Sequence, residues 1–283
     1  MIDIITVVFR DELPVLKLQA ESISLHCNHM CLRNIYVVIN DDTMTEDDID
    51  SSWWGRYSDR VRVVHRNIWG IKYAENGWLS QQLLKLLAAQ RSESTWSMIL
   101  DAKTIIVQPV ELDRLFDDDG KLTWSYMPVM PVFEPAKKIV SDLFQTNVTD
   151  IAGPAGVPFF FHAQTVNELI QEVETRTGQA FGQWFQDAGM VTEFVLYSGY
   201  LQYRDGSLDK SYTKDFNNRY YPCNVCHSEA DTFDSKFLIM QQNPNILTVS
   251  IHRNVWKNLS DLQKIAYKNL LIASGITQAR DLV

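Results

Sequence analysis

Trp96-Ser-Met-Ile-Leu-Asp-Ala-Lys-Thr-Ile-Ile-Val107 is the stretch of sequence that decides the fold. An apolar run ends at a single acidic residue, Asp101, and resumes only after Ala102 and Lys103. A buried strand of an α/β sheet ends in this way, and open sheets of this class bind their ligands at the carboxyl ends of such strands. The sequence therefore predicts a ligand site around Asp101.

Strands and helices alternate on the amino-terminal side of this stretch. Apolar runs predict strands, and apolar residues at helical spacing predict helices. Up to Val110 the predicted strands are Ile2–Phe9, Ile35–Ile39, Val61–His65 and Ser97–Leu100, and the predicted helices are Glu12–Leu25 and Gly77–Gln90. This alternation is typical of a mostly parallel central sheet with helices on both faces. The fold class is therefore predicted to be α/β.

The pattern is looser after Val110. Predicted strands are Leu122–Met127, Val157–His162 and Ile246–Ile251, and predicted helices are Glu134–Phe144, Thr165–Thr175, Ala180–Asp187, Glu193–Tyr203 and Leu259–Ser274. The polar, aromatic stretch from Arg204 to Asp234 has little periodicity and is predicted to be a loop or a lid. Because the sequence contains no repeat and no linker, we expect residues 1–283 to form a single domain.

The bulk composition excludes several classes of function. The chain has 283 residues, of which 46% are hydrophobic and 22% charged, and its net charge is -9. An acidic chain without a basic cluster is not expected to bind nucleic acid, because phosphate neutralisation needs grouped Lys and Arg. There is no targeting segment, and no apolar stretch is long enough for a membrane span. We therefore expect a soluble, cytoplasmic protein; its oligomeric state is left open.

Five segments in a fixed order resemble the motifs of GT-A glycosyltransferases, a Rossmann-related fold, and most of all those of bacterial and viral sugar transferases. They are Ile4–Arg10, Ile35–Asp41, Asn76–Leu87, Leu100–Lys103 and Thr192–Tyr200. The resemblance implies transfer of a sugar from a nucleotide-diphosphate donor, a UDP-sugar above all, to a hydroxyl of a glycan or glycolipid. It also implies that residues 1–110 form the nucleotide-binding half and that residues 111–283 form the acceptor-side half.

The resemblance implies a set of donor-binding residues, most of them at the ends of predicted strands. The set is Thr6, Arg10, Asn40, Asp41, Gln81, Lys85, Asp101, Lys103, His252 and Arg253. Gln81 and Lys85 are four residues apart and so share one helix face. Asn40 and Asp41 are also typical turn residues, so a purely structural role stays open for them. A solvated helix face would account for Gln81 and Lys85 nearly as well.

Lys103 is the departure from the family's Asp-x-Asp motif, whose two carboxylates hold a divalent metal. A lysine repels such a cation and removes one oxygen ligand. The ammonium can itself neutralise a diphosphate leaving group. The hypothesis is that no metal is required because Lys103 replaces it in catalysis. In the alternative, Lys103 points to solvent while Asp101 binds Mn or Mg together with His252.

The family's chemistry assigns the remaining roles. An inverting transferase needs one base to deprotonate the acceptor hydroxyl. Glu193 is the first candidate, with Asp187 in reserve, although a carboxylate that opens a helix can also be a simple cap. A retaining enzyme would need no such base. Gly156 and Tyr197 are the candidates for contacts with the acceptor.

Other functions are compatible with parts of the sequence. The altered Asp-x-Asp motif is also what a catalytically inactive binding module of this fold would carry. A nucleotidyltransferase is disfavoured, since Arg10–Pro14 lacks the glycines of a triphosphate loop. Cys223-x-x-Cys-His227 could ligate zinc, possibly with Cys27 and Cys31, but its spacing is not diagnostic. Reduced cysteines without a redox role are the default expectation.

Overall fold

The computed structural model describes residues 1–70, 77–123, 126–152, 157–213, 220–226 and 232–282. The strands are β1 (Ile2–Val8), β2 (Leu32–Ile39), β3 (Val61–His65), β4 (Trp96–Asp101), β5 (Ile105–Ile106), β6 (Tyr126–Pro128), β7 (Asp150–Ala152), β8 (Phe159–His162), β9 (Tyr221–Val225) and β10 (Ile246–Ile251). The α-helices are α1 (Leu13–His26), α2 (Gly77–Gln90), α3 (Leu112–Leu115), α4 (Glu134–Phe144), α5 (Ala163–Thr177), α6 (Phe181–Ala188), α7 (Glu193–Asp205), α8 (Phe233–Gln242), α9 (Arg253–Asn258) and α10 (Asp261–Ala273).

The central sheet has the order β3-β2-β1-β4-β8 within the described residues. The first four of these strands are parallel, and β8 is antiparallel to β4 at one edge. From β1 the chain first extends the sheet through β2 and β3, and then returns to place β4 on the other side of β1. Strand order therefore reverses between β1 and β4, and ligands of open α/β sheets bind at the carboxyl ends of the strands at such a point.

The predicted α/β class and its mostly parallel sheet are confirmed. All seven residues of β1 are buried, as is typical of a central parallel strand covered on both faces. The helix Gly77–Gln90 and the strands Val61–His65 and Ile246–Ile251 have the predicted bounds. None of the described helices is long and apolar enough to span a bilayer.

A second, smaller sheet lies outside the central one, with the order β5-β10-β9. The prediction of a loop between Arg204 and Asp234 is partly wrong, because β9 pairs in parallel with β10 and α8 starts at Phe233. The strand at β9 is short and contains Pro222, which weakens its sequence signal. This sheet and the helices α8 to α10 surround a second apolar cluster. The single domain stays a prediction.

The predicted helix Leu259–Ser274 is split by a cap. Helix α9 ends at Asn258, and Ser260 caps α10 by accepting a hydrogen bond from the Gln263 amide. The Gln263 side chain in turn accepts a hydrogen bond from the Ser260 amide at 3.0 Å. This reciprocal capping box starts a new helix where apolar spacing alone predicts a continuous one.

Asp3 ties the start of β1 to the loop that precedes β4. Its buried carboxylate accepts hydrogen bonds from the backbone amides of Asn34, Glu93 and Ser94 at 2.9, 3.0 and 3.1 Å. It also accepts hydrogen bonds from the hydroxyls of Ser92 and Ser94, at 2.7 and 3.0 Å. The carboxylate thus satisfies buried donors from β2 and from the α2–β4 connection.

Asp3→Ala is expected to lower the free energy of unfolding by about 3 kcal/mol, because it leaves several buried donors without acceptors. Urea denaturation followed by circular dichroism measures this loss. Asp3→Asn keeps one acceptor oxygen and should lose less. A loss for Asp3→Ala of under about 1 kcal/mol, the size of a single neutral hydrogen bond, would contradict the structural role.

Candidate functional site

The turn after β4 is held from below by α1. Gln19 donates from Nε2 to the backbone oxygens of Asp101, at 2.6 Å, and Thr104, at 3.0 Å. Its Oε1 accepts a hydrogen bond from the Thr6 hydroxyl at 2.7 Å. Thr6 is buried and engaged in this support, so it is not placed to contact a ligand as predicted.

Four charged side chains form an alternating row at the carboxyl end of β4. Lys103 Nζ lies 2.8 Å from Asp101 Oδ2, and Lys85 Nζ lies 3.0 Å from Asp101 Oδ1. Lys85 Nζ also donates to Glu193 Oε1 at 3.0 Å. The contact of Lys85 with Asp101 is an ion pair outside hydrogen-bond geometry, since Oδ1 makes no hydrogen bond within the described residues. Each oxygen of Asp101 therefore faces an ammonium group.

The inner end of this row is buried. The Lys85 side chain is 4% exposed and that of Glu193 is 0% exposed, whereas Lys103 is 25% exposed. Burial opposes the charge of Lys85, but Asp101 and Glu193 outweigh it and raise the pKa of the ammonium. Burial also opposes the charge of Asp101, but Lys103 and Lys85 hold its pKa well below the usual range. The row keeps its charges, and Lys103 is its solvent-facing end.

Glu193 is placed as a counter-ion and not at an open surface. It opens α7, and burial raises the pKa of its carboxyl despite the opposing charge of Lys85. Its second oxygen, Oε2, has no hydrogen-bond partner in the part of the chain that the structure describes. A fully buried carboxylate bonded to Lys85 does not reach an acceptor hydroxyl, so the structure favours the counter-ion role over the predicted base. The reserve base, Asp187, accepts a hydrogen bond from Gln183 Nε2 at 2.7 Å on α6.

Glu12 is a functional candidate that the sequence did not reveal. It ends the 3-10 turn Arg10–Glu12 at the carboxyl end of β1, where Oε2 accepts a hydrogen bond from the Phe9 amide at 3.3 Å. Burial raises its pKa to about 7; Lys103 opposes the shift, and Asp101 adds to it. In the sequence Glu12 is an ordinary acidic residue at the start of a helix, and only the fold brings it beside Asp101 and Lys103.

The raised pKa of Glu12 predicts a pH-dependent cost to stability. Between the ordinary value of 4.5 and about 7, the folded chain holds a proton that the unfolded chain has lost. Stability contributed at this residue therefore falls as the pH rises through that window. Relative to Glu12→Gln, the wild type is expected to lose about 1–3 kcal/mol of unfolding free energy between pH 5 and pH 8. Parallel urea titrations at the two pH values test this, and a difference that does not change with pH would refute it.

Arg10 and Asp41 come together beside the same turn, at the ends of β1 and β2. The Arg10 amide donates to Asp41 Oδ2 at 3.0 Å, and the Arg10 guanidinium pairs with Asp48 at 3.2 Å. Asp41 also accepts a hydrogen bond from the Thr43 amide at 2.8 Å, which is the turn chemistry left open by the sequence. Both side chains stay candidates for donor contacts because both lie at the surface.

Asn40 belongs to an internal network and is not free to bind a base or ribose. Its Nδ2 donates to Ser80 Oγ at 2.9 Å, and its Oδ1 accepts from Arg66 Nη1 at 3.1 Å. Arg66 is itself buried and forms an ion pair with Asp42. The prediction for Asn40 is corrected accordingly: this residue joins β2 to the start of α2 from inside. Gln81 is half-buried on the same helix.

The carboxyl-terminal part of the chain reaches the same edge of the sheet. Arg253 Nη1 lies 2.8 Å from Asp11 Oδ2, next to Glu12. His252 caps α9, because its Nδ1 accepts a hydrogen bond from the Asn254 amide at 3.2 Å. Arg253 is thus near the row of charges as predicted, whereas one nitrogen of His252 serves a helix.

Tyr197 lies in the core, which corrects its predicted contact with an acceptor. It is fully buried against Phe159 and Phe161, and its hydroxyl accepts a hydrogen bond from the His162 amide at 3.0 Å. Burial raises its pKa to about 12. Gly156, the other acceptor candidate, lies outside the described residues.

The donor set does not fit a divalent metal. No three His, Cys, Asp or Glu residues are grouped to hold a metal within the described part of the chain. Asp101 offers its two oxygens to lysines, and hard cations need several oxygen ligands. For the zinc hypothesis, Cys27, Cys31 and Cys223 are buried and Cys226 is exposed, while His227 lies outside the described residues.

Comparisons with known proteins give one family and several solved structures. The model of a "Family of unknown function (DUF6492)" matches residues 4–260. No curated protein matches the chain. The chain is similar to the galactosyltransferase LgtC, with 11% identity, coverage of 96% of both chains and a TM-score of 0.47.

Two further solved structures are also sugar transferases. The glycosyltransferase GlyE of Streptococcus pneumoniae TIGR4 is 14% identical, with a TM-score of 0.44; the match covers 99% of this chain and 62% of that one. Mouse xyloside xylosyltransferase 1 is 9% identical with a TM-score of 0.43, and 90% and 99% of the two chains are covered. The resemblance to glycosyltransferases found in the sequence is thereby confirmed, but overlap at this level says nothing about donor, acceptor or residue roles.

Proposed function

This chain belongs to the family of unknown function DUF6492, and we propose that it is a glycosyltransferase that uses a nucleotide-diphosphate sugar. The observation that carries the proposal is the row Lys103–Asp101–Lys85–Glu193 at the point where strand order reverses. A sheet of this topology binds ligands there. The row presents a cation to that crevice at Lys103 and fixes it from behind with two buried carboxylates.

The leaving diphosphate is the group that this arrangement suits. Lys103 is held by Asp101 alone among the ion pairs described, and it is partly exposed. An incoming diphosphate can therefore accept a hydrogen bond from its ammonium while Lys85 continues to balance Asp101. An ammonium that meets negative charge as it develops stabilises the transition state. In this proposal Lys103 does the work that a metal ion does in the Asp-x-Asp relatives, and no step requires a metal.

Glu12 is the carboxylate that we assign to proton transfer. An acceptor oxygen attacks the anomeric carbon, the bond from that carbon to the diphosphate breaks, and the hydroxyl proton passes to Glu12. Asp101 is ionised at all ordinary pH values, whereas the pKa of Glu12 is about 7. Two neighbouring carboxyls with such different proton affinities separate into a charged group and an acid–base group. One protein base of this kind corresponds to inversion at the anomeric carbon.

Donor and acceptor follow from the resemblance and from the composition. A UDP-sugar is the proposed donor, and a glycan or glycolipid hydroxyl is the proposed acceptor. Arg10, Asp41 and Arg253 line the same edge as Lys103 and are the proposed additional donor contacts. With a net charge of -9, the chain is not proposed to act on nucleic acid. We place the reaction in the cytoplasm.

A catalytically inactive binding module is the second candidate. The observation in its favour is that both oxygens of Asp101 are already engaged by lysines. Such a module would bind a nucleotide without breaking the sugar–phosphate bond. The two candidates therefore differ in whether the donor is consumed.

Release of nucleoside diphosphate from a panel of nucleotide sugars in EDTA tests the proposal, because transferases hydrolyse their donor slowly without an acceptor. We expect one donor to be consumed, and we expect Lys138→Ala, which removes an exposed lysine on α4, to consume it equally fast. Binding without any release would support the inactive module. No binding and no release with any nucleotide sugar would refute both.

A further inference from the structure

Helix α10 has a second apolar face that the protein leaves uncovered. Tyr267 and Leu271 are buried in the apolar cluster beside the small sheet. On the opposite side, Leu262 is 79% exposed and Ile265 is 51% exposed. Three residues apart on a helix, these two side chains lie on one face. Asn269 and Ala273 are exposed on the same face and carry no charge.

Helix α8 extends this uncovered apolar surface. Leu238 and Ile239 are 52% and 47% exposed near its end. Helices α8 and α10 are joined by a hydrogen bond from Gln263 Nε2 to Asp234 Oδ1 at 2.9 Å. Apolar residues grouped on two adjoining helices differ from the single exposed apolar residues that any protein surface carries, and such groups mark interaction sites.

The charge around this surface is opposite to that of the whole chain. Residues 253–273 contain four basic side chains and one acidic side chain, although the chain as a whole has a net charge of -9. The basic residues are Arg253, Lys257, Lys264 and Lys268. Lys264 Nζ lies 5.7 Å from the centre of the Trp256 ring, so its stem lies along the helix pair.

We propose that the exposed face of α10, together with Leu238 and Ile239 of α8, docks on an anionic lipid surface. A helix with an uncharged apolar face flanked by lysines lies in the plane of the headgroups, where the apolar side chains enter the acyl boundary and the lysines meet lipid phosphates. The charge of this segment matches that occupant, which is negative. The docking surface stands independently of the reaction proposed above, and it would hold the chain at a membrane without a spanning helix.

Sedimentation with vesicles tests the proposal on the full chain. We expect binding to vesicles of equal parts phosphatidylcholine and phosphatidylglycerol at low salt, weak binding to phosphatidylcholine alone, and loss of binding near 0.5 M NaCl, where about 4 Å of screening length remains. The double variant Leu262→Ser with Ile265→Ser, and separately Lys257→Glu with Lys268→Glu, should each bind about tenfold more weakly.

Controls separate docking from folding and from association. Both double variants should melt within about 2 °C of the wild type, because the substituted side chains lie at the surface. The proposal is overturned if the wild type ignores anionic vesicles, or if neither double variant binds them more weakly. It is also overturned if the wild type is a dimer in size-exclusion chromatography and Leu262→Ser with Ile265→Ser makes it a monomer, because a second copy would then cover the face.

Discussion

Lys85→Met is expected to lower the free energy of unfolding by about 3–5 kcal/mol, which is the usual cost of removing one partner from a buried charge group. The variant leaves Asp101 and Glu193 facing each other without the ammonium that now lies 3.0 Å from both. Methionine fills a similar volume, so the loss reports the missing charge and not a cavity. Chemical denaturation with urea at pH 7 measures it.

Two further variants make this result specific. Lys85→Met combined with Glu193→Gln removes one stranded carboxylate and should recover part of the loss. Lys138→Met removes an exposed lysine that lies 2.7 Å from Asp142 and should change stability by less than about 1 kcal/mol. If Lys85→Met is as stable as Lys138→Met, the buried row does not exist as described.

Lys103→Ala is expected to lower kcat of sugar transfer by about 100-fold to 1000-fold, the effect of deleting one group that stabilises charge in a transition state. The fold should survive, because Lys103 is partly exposed and Lys85 still balances Asp101. Wild-type activity should persist in EDTA. Lys103→Arg keeps the charge with a different geometry and should retain more activity than Lys103→Ala.

The opposite pattern would distinguish a metal-dependent site from a lysine-dependent one. Full inhibition of the wild type by EDTA, reversed by Mn, would show that a metal and not Lys103 meets the diphosphate. Equal rates for wild type and Lys103→Ala would remove Lys103 from the chemistry. A lower melting temperature for Lys103→Ala, measured alongside, would instead assign the loss to folding.

Local signals were enough for the sheet and for the outer end of the site. Strands such as Ile2–Val8 are buried on both faces and so appear as continuous apolar runs. Asp101 and Lys103 are two positions apart, so their contact is already implied when the strand end is recognised. The carboxyl end of a parallel strand then places them at the ligand edge.

Long-range partners were not predictable from spacing. Lys85 and Glu193 are 108 positions apart, and neither residue alone indicates that the other neutralises it. Asn40 has the composition of a turn, yet Ser80 and Arg66 draw it inside. Tyr197 lies in a motif that resembles a functional one, but its ring faces the core because the helix is buried on almost every side. Tertiary packing decided each of these outcomes.

Calorimetric titration of UDP, GDP, CDP and ADP into the protein in EDTA tests the central claim most directly. The lysine-neutralised crevice predicts that one of these nucleotides binds without metal, that added Mn leaves the affinity unchanged, and that Lys103→Ala weakens binding about tenfold or more through loss of a charge-assisted contact. Binding of no nucleotide with or without Mn, or binding that needs Mn and ignores Lys103→Ala, would contradict it.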